Sequence, residues 1–374
     1  MQTVRRLIHR ELLQAVAFVS VAFLALFFFI DFIDQLERVG RDGRYSAGQA
    51  LIYCLLLLPG HLYELLPIGL LIGGIYSMAR LAQSSEFTIL RTSGLGPGRA
   101  LSLLVSIGLA FTAVTFVIGD YVAPHANRYA EQFKAQARGT AFGRSGAWLK
   151  DRRGTSEGER TYSIQIQSAT PDGELRDVRL YEFDAQGRLL SRTTAAQAQI
   201  DDDAVWRLRD AVVTDWQPAT DAEHRPGELV VRERRVAELV WQSSLTPSVV
   251  AAAVQPPDMM STLDLYRYAT HLADNEQSAQ RYEIQFWRKA LYPFACLVMA
   301  ALALPFAYLH ARSGGISLKV FGGIMLGISF VLLNNVASHV GLLQNWTPWV
   351  AAATPSVLYL LLSLLAFQWL VRYR

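Results

Sequence analysis

The chain has 374 residues, 52% apolar and 18% charged, with a mean hydropathy of +0.21, which excludes a disordered protein. Its charge is uneven: residues 140–257 hold 15 Lys and Arg against 18 Asp and Glu, and the remainder holds 20 against 14. A weakly acidic, hydrophilic block interrupts a very apolar, slightly basic chain, and without a compact basic face a nucleic-acid partner is excluded.

Six stretches, at 12–33, 51–79, 100–120, 290–309, 316–336 and 349–371, reach the ~20 apolar residues that cross a bilayer. The first is expected to stay as an anchor, because its apolar core is long and no small-residue cleavage site follows. Between spans two and three, Ser84 or Ser85 can cap a short helix, with Glu86 in its first turn and Gly94 at its end. Phe87 and Leu90 share one apolar face of it. Such a helix suits a docking lever for a soluble partner or a solvated connecting turn. The glycines from Gly94 to Gly98 do not make a phosphate cradle, since Pro97 lacks an amide, and the chain has no Gly-Lys dipeptide for a P-loop.

Residues 121–138 continue span three as a helix. The polar block then reads as short strands: 161–167 (TYSIQIQ) alternates strictly, 175–183 loosely, and 205–208 and 236–241 are further candidates. Turns fall at Asp172-Gly173, Gln186-Gly187, 201–203 and Pro226-Gly227. These predict an all-β insert, a sandwich, a jelly roll or an open curved sheet, whose interior is ordinary core or a groove for an apolar ligand. Pro256-Pro257 closes the block, and Ser261 with Asp264 resembles a capping box opening a helix toward Trp287 and span four. The domains are therefore 1–138 (three spans, with the short helix near 83–93), 139–257 (the β insert) and 258–374 (a linker helix and three spans).

Arg5, Arg6 and Arg10, Arg80, Arg91 and Arg99, Arg312 and Lys319, and Arg372 and Arg374 all fall on one side of six spans. The positive-inside rule makes that side cytoplasmic, with both termini, and places the insert opposite. Arg38, Arg41 and Arg44 in the first outer loop dissent, partly offset by Asp34, Glu37 and Asp42.

Helical rise sets the depth of the polar residues. Arg10 to Asp31 is roughly 32 Å, Arg80 back to Glu64 roughly 24 Å, and Lys319 to Asn335 roughly 24 Å. Asp31, Asp34, His61, Glu64, Asn334 and Asn335 should gather near the outer-leaflet boundary, as side chains reaching water or as a polar rim around a cavity handling an amphiphile's headgroup. No metal site is expected: His61 and Glu64 are too few ligands, and no His/Cys cluster has zinc spacing. Gly69 with Gly73, and Gly323 with Gly327, permit close helix packing. Pro59, Pro67, Pro293 and Pro305 can bend their helices. Cys54 and Cys296 lie in apolar runs as buried hydrophobes.

Phe32-Ile-Asp-Gln-Leu36, Leu66-Pro-Ile68, residues 81–94 (LAQSSEFTILRTSG), Gly119-Asp-Tyr-Val-Ala-Pro124, Ala147-Trp-Leu-Lys150 and residues 282–289 (YEIQFWRK), in this order, resemble the LptF/LptG permease family from end to end. The first, third and fourth look more like LptG than LptF. The resemblance implies a subunit of an ABC transporter that extracts lipopolysaccharide from the bacterial inner membrane. Its partners would be an LptF-type permease, two LptB ATPases, LptC, and indirectly a periplasmic bridge of LptA, with the insert a periplasmic β-jelly roll. The chain itself would carry no cofactor, ATP and Mg residing on LptB, and would be no enzyme. Residues 83–91 would be the coupling helix, with Glu86 the anchor for a basic ATPase residue beside Phe87, Leu90 and Arg91. The lateral gate would involve spans one and five. Family members often carry basic residues at the outer end of span one, where this chain has Asp31 and Glu37. That leaves Arg38, then Arg41 and Arg44, for lipid phosphates; a divalent cation bridging carboxylate and phosphate is a further option. The rival readings are a membrane-anchored receptor or scaffold whose β domain binds a periplasmic protein, and an intramembrane hydrolase using Asp31 and Asp34.

Overall fold

The computed structural model describes residues 2–39, 45–84, 86, 89, 92, 96–138, 147–155, 158–169, 174–201, 203–218, 229–253, 255–308 and 315–372. It divides into two compact units, Met1–Ala130 with Glu283–Arg374, and Glu131–Tyr282.

In the first unit, six helices among the described residues are long and apolar enough to cross a bilayer: Arg5–Leu36, Ala47–Gln83, Gly98–Ala137, Gln280–Ala307, Ile316–Leu343 and Pro348–Trp369. Helix α1 is Gln2–Leu36 and α2 is Ala47–Gln83. A capping box starts α2, with the Gln49 amide donating to Ser46 Oγ and the Ser46 amide donating to Gln49 Oε1. Pro97 opens α3 (Pro97–Val117) at the position where a missing amide costs no helical bond. A π-helical turn, Ile118–Val122, hands it on to α4 (Ala123–Arg138).

Two large clusters hold the helices together, beside a smaller one in which Tyr53, Cys54 and Ala130 meet Phe28 and Phe32. One joins Leu12 and Val16 of α1, Leu70 and Met78 of α2, and Leu104 and Ile107 of α3 to Cys296 and Ala300 of α8 (Ala295–Ala303). The other joins Leu71 and Ile75 of α2 and Met299 of α8 to Phe330 of α10 (Ile316–Leu343) and Tyr359 of α11 (Pro348–Arg372). Helices α2 and α8 serve both clusters and are the centre. Because lipid tails are as apolar as leucine, association rests on close approach rather than on burial from water. The glycines supply it: a Cβ on Gly73 would stand 2.8 Å from the Val16 amide nitrogen, and one on Gly69 2.9 Å from Ser20 Oγ. On α10, Gly323 and Gly327 receive Ile75 and Ile68 of α2 in the same way.

The second unit is built on one antiparallel sheet in chain order, β1 (Ala147–Thr155), β2 (Gly158–Ala169), β3 (Leu175–Phe183), β4 (Leu189–Ile200), β5 (Val205–Pro218) and β6 (Leu229–Gln242). The all-β insert is thus a meander, the open-sheet form of the expected class, with no crossover among the described residues. The burial alternation shifts phase within the strands: Leu175 and Val178 are both buried on β3, Ala195 and Ala198 on β4, and Leu208 and Ala211 on β5. Asp177 and Asp210 take positive φ (50° and 52°) at this line, and Asp tolerates that region better than most residues. The line bends the sheet. Tyr162 on β2 and Trp241 on β6 have three strands between them, roughly 19 Å in a flat sheet. Their ring centroids nevertheless stand 5.5 Å apart, so the sheet folds over onto itself.

The fold-over closes on a polar knot. Asp151 of β1, 0% exposed, accepts bonds from Arg153 Nε and Nη2 (3.2 and 3.0 Å), Ser243 Oγ (3.0 Å), the Ser244 amide (3.3 Å) and Ser244 Oγ (2.6 Å). Arg153 also lies over the rings of Tyr162 and Trp241, at 5.1 and 4.7 Å. Beyond β6 come α5 (Pro247–Ala253) and α6 (Thr262–Asp274), the latter opened by the Ser261–Asp264 capping box. The single linker helix expected from Ser261 toward Trp287 is two: Asn275 ends α6, Glu276 takes φ 51°, and α7 (Gln280–Leu291) starts afresh. A 3-10 turn, Tyr292–Phe294, with Pro293 inside it, separates α7 from α8, and α9 (Pro305–Tyr308) follows.

Candidate functional site

Helices α1 and α2 run antiparallel and are matched along their length. At the inner end Arg80 Nη1 meets Glu11 Oε2 at 3.4 Å, and the Gly69/Gly73 face takes Ser20 and Val16 at mid-length. At the outer end His61 Nε2 and Asp31 Oδ2 are 2.6 Å apart, each about a quarter exposed. Phe27, one turn before Asp31, stacks on the His61 ring at 5.2 Å. A bond this short between an imidazole N–H and a carboxylate, flanked by an aromatic face, ties the two helices together at the end opposite the Arg80–Glu11 pair. One turn farther out, Arg38 Nη2 and Asp34 Oδ2 pair at 2.8 Å, both substantially exposed. Asp31 and Asp34 thus engage different partners.

Asn334 on α10 is buried and Asn335 is exposed; their carbonyls accept from Ser338 Oγ (2.8 Å) and His339 Nδ1 (2.9 Å). Ile68 meets Gly327, and seven residues outward on each helix lie His61 and Asn334, at a common level. His61 is bonded to Asp31 of α1, and Asn334 through its carbonyl to Ser338 of its own helix. Arg41 and Arg44 lie outside the described residues, as do Phe87, Leu90 and Arg91 of the inner loop. Glu86, Ile89 and Thr92 in that loop are helical and exposed, with Thr92 Oγ1 donating to the Ile89 carbonyl at 2.9 Å.

Contacts that the sequence did not reveal surround the outer turn of α2. The Tyr63 ring lies against Gly119 in the π-helical turn, so closely that a Cβ there would overlap it. Tyr63 also packs on Tyr292 at 4.9 Å, and Tyr292 OH donates to the Glu64 carbonyl at 2.6 Å. Gly60 faces the Asn127 amide of α4, which a Cβ would meet at 3.2 Å. Glu64 is therefore engaged through its backbone while its residue surface stays exposed. Among the described residues no group of three or more His, Cys, Asp and Glu could hold a metal ion. Cys54 and Cys296 are free thiols, both buried.

The insert carries its own polar depression of about 490 Å³, lined by Arg152, Tyr266, Arg267, His271 and Asp274 among others. Burial holds the His271 imidazole below its ordinary pKa, against the opposing pull of a hydrogen bond to the Lys150 backbone and of Asp151.

With this geometry in place, the likeness to known proteins is specific. Residues 6–369 match the family described as lipopolysaccharide export system permease LptF/LptG. The chain is 29% identical over 336 residues to the lipopolysaccharide export system permease protein LptG of Escherichia coli, covering 90% of this chain and 89% of that protein. It is 26% identical over 364 residues to LptG of Haemophilus influenzae, covering 96% of each. To LptF of Escherichia coli it is 22% identical over 374 residues, covering 98% and 94%.

Proposed function

The chain belongs to the lipopolysaccharide export permease family LptF/LptG, and we propose that it is an LptG-type subunit that lifts lipopolysaccharide out of the inner membrane. One observation carries this reading. The family match runs the length of six membrane-spanning-length helices that a β sheet interrupts after the third. The higher identity to LptG than to LptF supports a place opposite an LptF-type permease.

The chain is multi-pass, and its basic loops favour cytoplasmic termini with the insert in the periplasm. It performs no chemistry itself. Two LptB subunits bind ATP and Mg and hydrolyse the nucleotide, LptC lies alongside, and the periplasmic insert feeds a bridge that reaches LptA. The force enters at Glu86, itself helical and exposed, whose carboxylate suits a basic residue of the ATPase, with Phe87, Leu90 and Arg91 sharing the role. At the outer end, Arg38 and Arg41 meet the anionic headgroup. Asp34 holds Arg38 only as an exposed ion pair worth about 0–1 kcal/mol, so a lipid phosphate can displace it.

The test is lipopolysaccharide release from proteoliposomes holding this chain with an LptF-type permease, two LptB and LptC. Glu86→Ala should cut release at least about tenfold, the scale of a charge-assisted hydrogen bond, with the assembly intact. Undiminished release would remove Glu86 from the coupling path. A wild-type complex that hydrolyses ATP without releasing lipid would return the chain to a scaffold role.

A further inference from the structure

The turn of α2 from Gly60 to Glu64 touches α1 and both helical connections to the insert. His61 holds α1 through Asp31. Gly60 and Tyr63 seat the chain that leaves for the insert, through Asn127 and Gly119. Tyr63 and the Glu64 carbonyl seat the chain that returns, through Tyr292.

Both connections lose regular α-helical geometry at this level. The outgoing one forms the π-helical turn Ile118–Val122, and the returning one the 3-10 turn Tyr292–Phe294. Interruptions of these kinds inside longer helices commonly mark hinges and functional sites. Here each has a plain local cause. Gly119 lets the Tyr63 ring enter where a side chain would stand, and Pro293 removes one helical amide. The Asn127 Oδ1 atom is buried without a hydrogen-bond partner in the described structure, a polar cost retained where Gly60 admits the amide.

We propose that the Gly60–Glu64 turn is a transmission hub: Tyr63, Tyr292 and Gly119 are positioning residues that convert a shift of α2 into movement of the two connections to the insert. The inference rests on the permease reading above and assigns within it the step between coupling at the inner end of α2 and delivery of lipid. Helix α2 suits the role because it is one continuous helix, carrying Arg80 in its last turn and the Gly60–Glu64 turn roughly 24 Å back along its axis. The Tyr292 hydroxyl supplies a directional bond to the backbone of α2, which a ring contact alone does not.

The experiment measures lipid released per ATP hydrolysed in the reconstituted exporter for wild type, Tyr292→Phe and Gly119→Ala. Tyr292→Phe keeps the ring and deletes one hydrogen bond; release per ATP should fall about fivefold, the factor such a bond is worth, at unchanged ATPase rate and thermal midpoint. Gly119→Ala should fall further, since Tyr63 must be displaced. Wild-type yield in both variants would overturn the hub. A fall in yield that tracks a fall in thermal midpoint would overturn it too, by reducing the contacts to packing. If Glu86→Ala abolishes release while both variants match wild type, the permease reading stands and the hub alone is lost. A wild-type exporter that hydrolyses ATP without releasing lipid removes that reading and the hub with it.

Discussion

The helical unit and the β insert treat polar groups in opposite ways. Among the spans, ion pairs stand toward the two ends, Glu11 with Arg80 and Asp31 with His61, and glycine-mediated contacts fill the length between. In the insert the principal polar knot lies at the centre of the fold-over, where Asp151 is fully buried and saturated by five donors. The difference follows from the solvent each unit meets. Hydrocarbon offers no water to complete an imperfect hydrogen bond, so polar pairs sit where headgroups can assist. A sheet in water can enclose a carboxylate provided every lone pair is met.

Substitutions can break or sharpen that contrast, because the two units carry separate reporters. Both cysteines are buried in the helical unit and residues 131–282 contain none, so a thiol-reactive dye reads the spans; with Trp287, Trp346, Trp349 and Trp369 replaced by Phe, the remaining tryptophans, Trp206 among them, read the insert. Asp151→Ala should have the largest effect, about 3–5 kcal/mol lost from the insert, because it strands Arg153 and the serine donors. Tryptophan emission should shift at lower temperature with the thiol midpoint unmoved; a joint fall would show that the units unfold together.

Gly73→Ala is next, at about 1–3 kcal/mol of overpacking against Val16. The thiol midpoint should fall and the tryptophan transition hold. His61→Ala should cost about 1 kcal/mol, since its ion pair with Asp31 is partly open to solvent. Faster hydrogen exchange at the outer end of α1, with mid-helix amides unchanged, is the expected signature. The smallest effect is one of pH. The folded state holds His271 below its ordinary value near 6.5, so its contribution is complete above that pH and is lost as pH falls through the lowered folded value. The insert's midpoint should therefore decline below pH 6.5, and His271→Gln should flatten the decline.

The sequence disclosed the spans well because length and hydropathy are local properties that tertiary contacts cannot hide. Strands were harder. β4 (LLSRTTAAQAQI) is rich in Thr, Ala and Gln, and β1 in charge, so neither carries a strong β signal. On β5 the alternation beginning at 205 changes phase at Asp210, which is why periodicity alone stops near 208 in a strand that reaches Pro218. Depth arithmetic placed Asp31, His61 and Asn334 at one level without revealing that Asp31 and His61 bond to each other. The seating of Tyr63 on Gly119 and Tyr292 joins residues far apart in the chain, for which one sequence holds no local mark.

The meander has a consequence for biogenesis. Each strand pairs with its immediate predecessor, so sheet formation closes only short loops and never waits for distant sequence. Synthesis runs from the N-terminus, and the last strand ends at Gln242, ahead of the later three spans. The insert can complete its hydrogen-bond ladder while that second set is still emerging, so assembly proceeds with one finished module separating two groups of apolar helices.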